Sequence, residues 1–195
     1  MMNPYEQLKA DITSCRKCRL RFDHEPQPIF FGSSHPAVMQ ISQAPSRKVQ
    51  KSGLPFSDQS GKTLREWYQI TGAAFYDPNH FYMTSVGHCY PGCQSHGDKA
   101  PIIECADRFL QRELKIIEPQ IYIIIGSYAA RFLFGSETAL EDLIFQDQIL
   151  CGKCAYVLPH PSPRNRRWLH EHPQFLQKRM PIIAEHLHRL LKEHE

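Results

Sequence analysis

The chain has 195 residues, 42% hydrophobic and 22% charged, with a formal net charge of +3. That charged fraction and 11% aromatics exclude a disordered chain, and no apolar run approaches the ~18 residues of a membrane span. The mild basicity permits a nucleic-acid partner without demanding one. The length fits one domain, 1–195, at roughly 100–200 residues per domain. The N-terminal MMNPYEQLKADITSC carries no apolar signal core. The expectation is a cytoplasmic monomer with no membrane association.

In chain order, residues 5–13 read as a short helix leading into Cys15. Ala37 to Ile41 is a short apolar run and reads as a strand. A Pro/Ser/Lys-rich loop comes next, from Ser42 to Ser60, and then a helical face of Leu64, Trp67, Tyr68 and Ile70 over 61–72. Phe81 to Val86 is a second strand, and Gly87 to Lys99 a polar loop. Pro101 opens a helix to about Ile117, with its apolar residues on one stripe. Ile121 to Ile125 is apolar without alternation, as in a parallel strand buried on both faces. Gly126 ends it, and a helix spans Ser127 to Phe134. Tyr156-Val157-Leu158 is a further strand, running into Pro159-His160-Pro161-Ser162-Pro163, and the C-terminal segment repeats leucine and isoleucine at helical spacing. Strands alternating with helices predict an α/β three-layer sandwich: a short, mostly parallel central sheet flanked by helices. Sites in such sheets form at the carboxyl ends of the strands, which singles out the loops 42–60, 87–99 and 159–168.

There are seven cysteines. An odd count without a secretory signal argues against a disulfide framework. Cys15 and Cys18 form one CxxC, Cys151 and Cys154 another. Together they read as a four-cysteine zinc site, although the long separation is unlike a zinc ribbon. The competing set is Cys15, Cys18, Cys89 and Cys105, which suits a cubane iron–sulfur cluster. Cys105 also reads as a small core residue, and Cys151 and Cys154 as flanks of a two-residue turn at Gly152-Lys153. Spacing alone leaves zinc and iron–sulfur both open.

The ordered set Cys15-Arg16-Lys17-Cys18, Gln43-Ala44-Pro45-Ser46, Gly53-Leu54-Pro55-Phe56, Ser85-Val86-Gly87-His88-Cys89, Cys105 and His160-Pro161-Ser162-Pro163 resembles the uracil-DNA glycosylase superfamily, most of all its iron–sulfur branch, family 4. The resemblance runs along nearly the whole chain. It implies a 4Fe-4S cluster on Cys15, Cys18, Cys89 and Cys105, with zinc as the alternative metal. It implies a DNA glycosylase that hydrolyses the N-glycosidic bond of uracil or a related deaminated base, in base excision repair. The other function class is a nucleic-acid-binding module of the same fold with weak or no catalysis.

Such an enzyme must take its base out of the stack and hold it in a pocket. His160 and Gln43 stand at the catalytic positions. A positioned imidazole can donate to the oxygen of a departing pyrimidine, while the plain alternative is a histidine on a polar loop. Gln43 stands where the family carries a carboxylate, and a glutamine cannot act as general base for water. Ala44, Phe56 and Ser85 stand at the base-binding positions. Phe56 offers a stacking face. Ser85 stands where the family has asparagine, and its hydroxyl is shorter and rotates freely. Ser162, Arg164, Arg166 and Arg167 are the expected DNA contacts. Their alternative is a solvated helix start capped by Asn165.

Overall fold

The computed structural model describes residues 3–95 and 97–194; His96, in the expected 87–99 loop, lies outside the described residues. Helix α1 (Pro4–Thr13) starts where Asn3 accepts from the Tyr5 N–H and Pro4 occupies the first turn. It buries Tyr5, Leu8 and Ile12, and its end delivers Cys15 and Cys18.

Strand β1 (Val38–Ser42) is followed by α2 (Arg47–Ser52), α3 (Gln59–Tyr68), α4 (Gly72–Phe75) and β2 (Phe81–Ser85). The segment 42–60 is thus not one open loop. Ser46 caps α2 through the Val49 N–H, and Asp58 caps α3 through the Ser60 and Gly61 N–H groups. Short helices with strong caps carry too little periodicity to be read from sequence. A two-stranded hairpin, β3 (Cys93–Gln94) and β4 (Gly97–Asp98), interrupts the 87–99 loop. The next helix begins at Ile103 rather than Pro101, as α5 (Ile103–Cys105), a π-helical stretch (Ala106–Leu110) and α6 (Gln111–Ile116). Pro101 and the backbone of Ile102 instead pack close to Gly87.

Strand β5 (Ile121–Ile125) leads directly into α7 (Gly126–Phe134). Helix α8 (Leu140–Phe145) and strand β6 (Gln148–Leu150) were not expected from the sequence; β7 (Lys153–Leu158), α9 (Arg166–Glu171) and α10 (Met180–Glu193) complete the chain. The sheet order is β2-β1-β5-β7-β6, with β6 antiparallel at one edge and the other neighbours parallel. The β6–β7 turn is Cys151-Gly152, one residue earlier than the expected Gly152-Lys153. Leu150 pairs with Lys153, and both turn residues have positive φ (49° and 76°), as the commonest two-residue hairpins require.

Every residue of β1, β2 and β5 is buried. Helices cover the sheet, with α7 against β1, β5 and β7, and α10 against α3. The architecture is the expected α/β sandwich around a short, mostly parallel sheet. Among the described residues no helix is long and apolar enough to cross a membrane.

Parallel register sets the position of the loops. Ser42 lies beside Ser85, and Ile125 beside Leu158. The chain therefore leaves four neighbouring strands at the same end of the sheet, where the loops after residues 42, 85 and 158 meet.

Candidate functional site

Those loops enclose a cavity of about 390 Å³. Gln43, Ala44, Phe56, Ser85, His160, Ser162 and Arg164 all line it, together with Ser46, Asp58 and Asp98.

The first wall is the turn after β1. The Gln43 carbonyl accepts from the Gly87 N–H at 3.0 Å, and the Ser42 carbonyl from the Val86 N–H at 2.9 Å. The turn is therefore held to the loop carrying Cys89. Phe56 forms the second wall. It is a non-glycine residue at φ 54°, and the Tyr76 hydroxyl donates to the Pro55 and Phe56 carbonyls at 3.1 and 3.0 Å. A Cβ at Gly61 would lie 1.7 Å from the Phe56 carbonyl oxygen, so glycine is required there. The Phe56 ring meets Phe75 edge-on at 6.3 Å. Its aromatic edge and face are thus fixed before any ligand arrives.

Ser85 is buried, and its hydroxyl donates to the Gly87 carbonyl at 2.9 Å. The proton is committed to the loop, so toward the cavity this side chain offers an acceptor.

His160 lies just past the end of β7. Its Nδ1 accepts from the Ser162 N–H at 3.2 Å, which places the proton of the neutral ring on Nε2. Nε2 has no protein partner among the described residues. Burial lowers the imidazole below its usual value; Arg164 acts in the same direction and the Asp58 carboxylate opposes them. The ring is therefore neutral at pH 7 and presents an N–H donor. The Asn165 side chain does not cap α9; its amide donates to the His160 carbonyl at 2.8 Å. The capping expectation is corrected, because this amide is drawn into bracing the histidine loop. A Cβ on Gly126, which sits at φ 82°, would lie 3.4 Å from His160 Cβ, so the turn from β5 into α7 forms the floor under the ring.

Arg164 lies across the β3–β4 hairpin, where a Cβ on Gly97 would come within 2.0 Å of its guanidinium. Arg166 and Arg167 are exposed, and Arg167 pairs with Glu171 at 2.8 Å. Trp168 turns inward, stacked on His172 with ring centroids 4.3 Å apart.

A second, largely apolar cavity is lined by Cys15, Cys18, Cys89 and Cys105, with Phe22, Ile102 and Phe109. All four thiols are free. Burial and the neighbouring Cys105, Cys18 and Cys15 sulfurs push the Cys89 thiol up to about 12. Burial, Cys105 and Cys15 likewise raise Cys18. Four sulfurs crowded in this way repel as thiolates unless a cationic group neutralises them. Among the described residues, no three His, Cys, Asp or Glu side chains converge on a point where they could hold a single ion. Cys151 and Cys154 lie at the β6–β7 hairpin, across the sheet from β2. The structure thus does not bring the two CxxC pairs together.

Behind the cysteine-lined cavity lies a network that gave no signal in the sequence. His88 and Glu113 are fully buried. The Glu113 Oε1 accepts from the Tyr82 hydroxyl at 2.8 Å and faces His88 Nε2 at 3.1 Å, while the Thr84 hydroxyl lies 2.9 Å from both carboxylate oxygens. His88 Nδ1 is 3.5 Å from Cys105 Sγ. A glutamate on a helix otherwise rich in charge gives no sequence signal of burial. Asp58 and Asp98 were missed for a similar reason, since each sits among polar loop residues.

Comparison with known proteins agrees with this geometry. The family model described as the uracil DNA glycosylase superfamily matches residues 29–184. The type-4 uracil-DNA glycosylase of Archaeoglobus fulgidus is 29% identical over 133 residues, covering 68% of this chain and 65% of that protein. That of Sulfurisphaera tokodaii is 28% identical over 137 residues, covering 68% and 59%. That of Thermotoga maritima is 22% identical over 162 residues, covering 80% and 81%. The chain thus spans somewhat less than two thirds of the first two relatives. The matched region contains both the cavity at the strand ends and Cys89 and Cys105, and on that basis the chain belongs to the uracil DNA glycosylase superfamily.

Proposed function

We propose that the protein is a DNA glycosylase that releases uracil or a related deaminated base from DNA by hydrolysis of the N-glycosidic bond, as the opening step of base excision repair. The observation that carries this reading is His160: a neutral imidazole, braced on Nδ1, with its Nε2 proton free beside a cavity bounded by Phe56. The name of the relatives, type-4 uracil-DNA glycosylase, supports the same chemistry.

In this reading the extruded base enters between the Phe56 wall and the turn Gln43 to Ser46. Ser85 accepts from a base N–H. As the base departs it gathers negative charge, and the His160 Nε2–H donates to its oxygen. A donor already aimed at that charge needs no reorganisation during reaction. Ser162, Arg164, Arg166 and Arg167 hold the DNA strand, with Arg164 positioned by the hairpin beneath it.

Cys15, Cys18, Cys89 and Cys105 would hold a 4Fe-4S cluster. Their crowding, their free thiols and the surrounding apolar cavity fit such a group. When bound, the cluster supplies a cross-link among the N-terminal segment, the loop after β2 and α5. Bond hydrolysis needs no redox change, so its contribution is structural.

The test is His160→Ala on a uracil-containing duplex, with single-turnover release measured beside DNA affinity. Release should fall by ~10²–10³, the usual effect of losing one transition-state donor, while affinity changes little. Undiminished release by the variant would make this histidine a bystander.

A further inference from the structure

We infer that Asp58 is the catalytic carboxylate of this site: it stabilises the cationic sugar formed as the base departs and orients the water that attacks it. The inference rests on the glycosylase reading above and extends it to a group outside the matched motifs.

Breaking the C1′–N bond sends its electron pair out with the base and leaves positive charge on the sugar. A nearby carboxylate is the ordinary way to stabilise such an oxocarbenium-like centre. Gln43 supplies none. Among the described residues lining the cavity, Asp58 and Asp98 are the carboxylates. Asp98 is exposed, on the rim hairpin. Asp58 is half-buried and rigidly held: Oδ1 accepts from the Ser60 and Gly61 N–H groups at 3.1 and 3.3 Å, and Oδ2 accepts from the Ser46 hydroxyl at 2.6 Å. A carboxylate has about four lone-pair sites. Three are occupied, and the free one is on Oδ2. Asp58 also lies close enough to His160 for its charge to act on the imidazole. The two groups that the reaction needs, a donor for the anion and a carboxylate for the cation, therefore line one cavity. Ser46 links the carboxylate to the turn that holds Gln43.

In the balanced step, the C1′–N bond breaks and its electron pair leaves on the base. A water oxygen bonds to C1′, and the proton it loses passes to Asp58 Oδ2 and on to solvent. The base anion takes up a proton from solvent.

The alternative is that Asp58 only caps α3. Asparagine caps a helix about as well as aspartate, so Asp58→Asn removes the charge and retains the cap. The probe is a pair of duplexes, one with a pyrrolidine in place of the target deoxyribose, protonated near C1′, the other with neutral tetrahydrofuran. The wild-type protein should prefer the cationic duplex by about ten-fold, as a facing unit charge in a partly screened site allows. Asp58→Asn should abolish the preference with its melting temperature unchanged, and Asp58→Ser, a second capping residue, should do the same. A preference retained in Asp58→Asn, absent in the wild type, or lost in Asp98→Asn alone would overturn the inference. Uracil release by the wild-type protein is measured separately. Release without any preference for the cationic duplex sinks this inference alone, whereas failure to release any deaminated base sinks the glycosylase reading itself.

Discussion

Replacing Glu113 by glutamine removes the negative charge that faces His88 inside the protein. Both residues are fully buried, with side-chain exposures of 0% and 1%. Burial alone pushes the His88 imidazole down. The facing Glu113 carboxylate and the Cys105 sulfur outweigh it and raise the ring to about 10. Taking away one partner of a buried pair costs ~3–5 kcal/mol, because the other charge is left uncompensated. The Tyr82 and Thr84 hydroxyls retain a carbonyl acceptor in Glu113→Gln, so they add little. For a chain of this size each kcal/mol moves the melting temperature by roughly 2–4 °C, giving a fall of about 6–20 °C. Thermal unfolding monitored by circular dichroism, under nitrogen and with iron content measured in parallel, reads the effect. Tyr82→Phe removes one donor and leaves the charge pair intact, so about 1 kcal/mol is expected. A melting temperature for Glu113→Gln no lower than that of Tyr82→Phe would refute the charged-pair account.

Three other outcomes are expected of the site. Cys89→Ala should abolish the brown colour and iron binding of protein purified without oxygen, while Cys151→Ala should leave both unchanged; one zinc per chain, lost on changing Cys151, would contradict the cluster assignment. Gly61→Ala should displace the Phe56 carbonyl, since the added Cβ would lie 1.7 Å from a backbone oxygen that cannot swing aside, and the overpacking should cost ~1–3 kcal/mol by chemical denaturation. Because His160 is lowered in the folded protein, the unfolded chain binds its proton first as pH falls below about 6.5. Wild-type stability should therefore fall relative to that of His160→Ala as pH drops through that window, since the difference between the two proteins cancels the other titrating groups; a difference that does not change with pH would mean that the ring is not buried as described.

The sheet was legible because its strands are buried on both faces, and Ile121 to Ile125 shows that as an unbroken apolar run. The loop positions came from the strand ends, so the cavity that gathers Gln43, Phe56, Ser85 and His160 could be foreseen as a location. Its internal wiring could not. Asn165 has the chemistry of a cap, yet the carbonyl of His160 lies within reach and takes its amide. Trp168 follows Arg166 and Arg167 directly in the sequence, yet Phe145 and His172 give it a stacking slot. Glu113 and Asp58 were invisible for a common reason. A carboxylate's role depends on partners brought in by the fold, Tyr82 and His88 for one, Ser46 for the other.

The exposed arginines after His160 give a further check by salt dependence. Neutralising Arg166 and Arg167 should weaken binding to any DNA sequence and reduce the salt slope by about one per lost phosphate contact. An unchanged slope would place the DNA elsewhere.

The most direct measurement is single-turnover base release by the wild-type protein, purified without oxygen, from matched oligonucleotides carrying uracil, hypoxanthine or xanthine. The account predicts release of at least one of these bases, leaving an abasic site that alkali cleaves. Tight binding to all three oligonucleotides with no release from any would contradict it and would make the protein a nucleic-acid-binding module on a glycosylase fold.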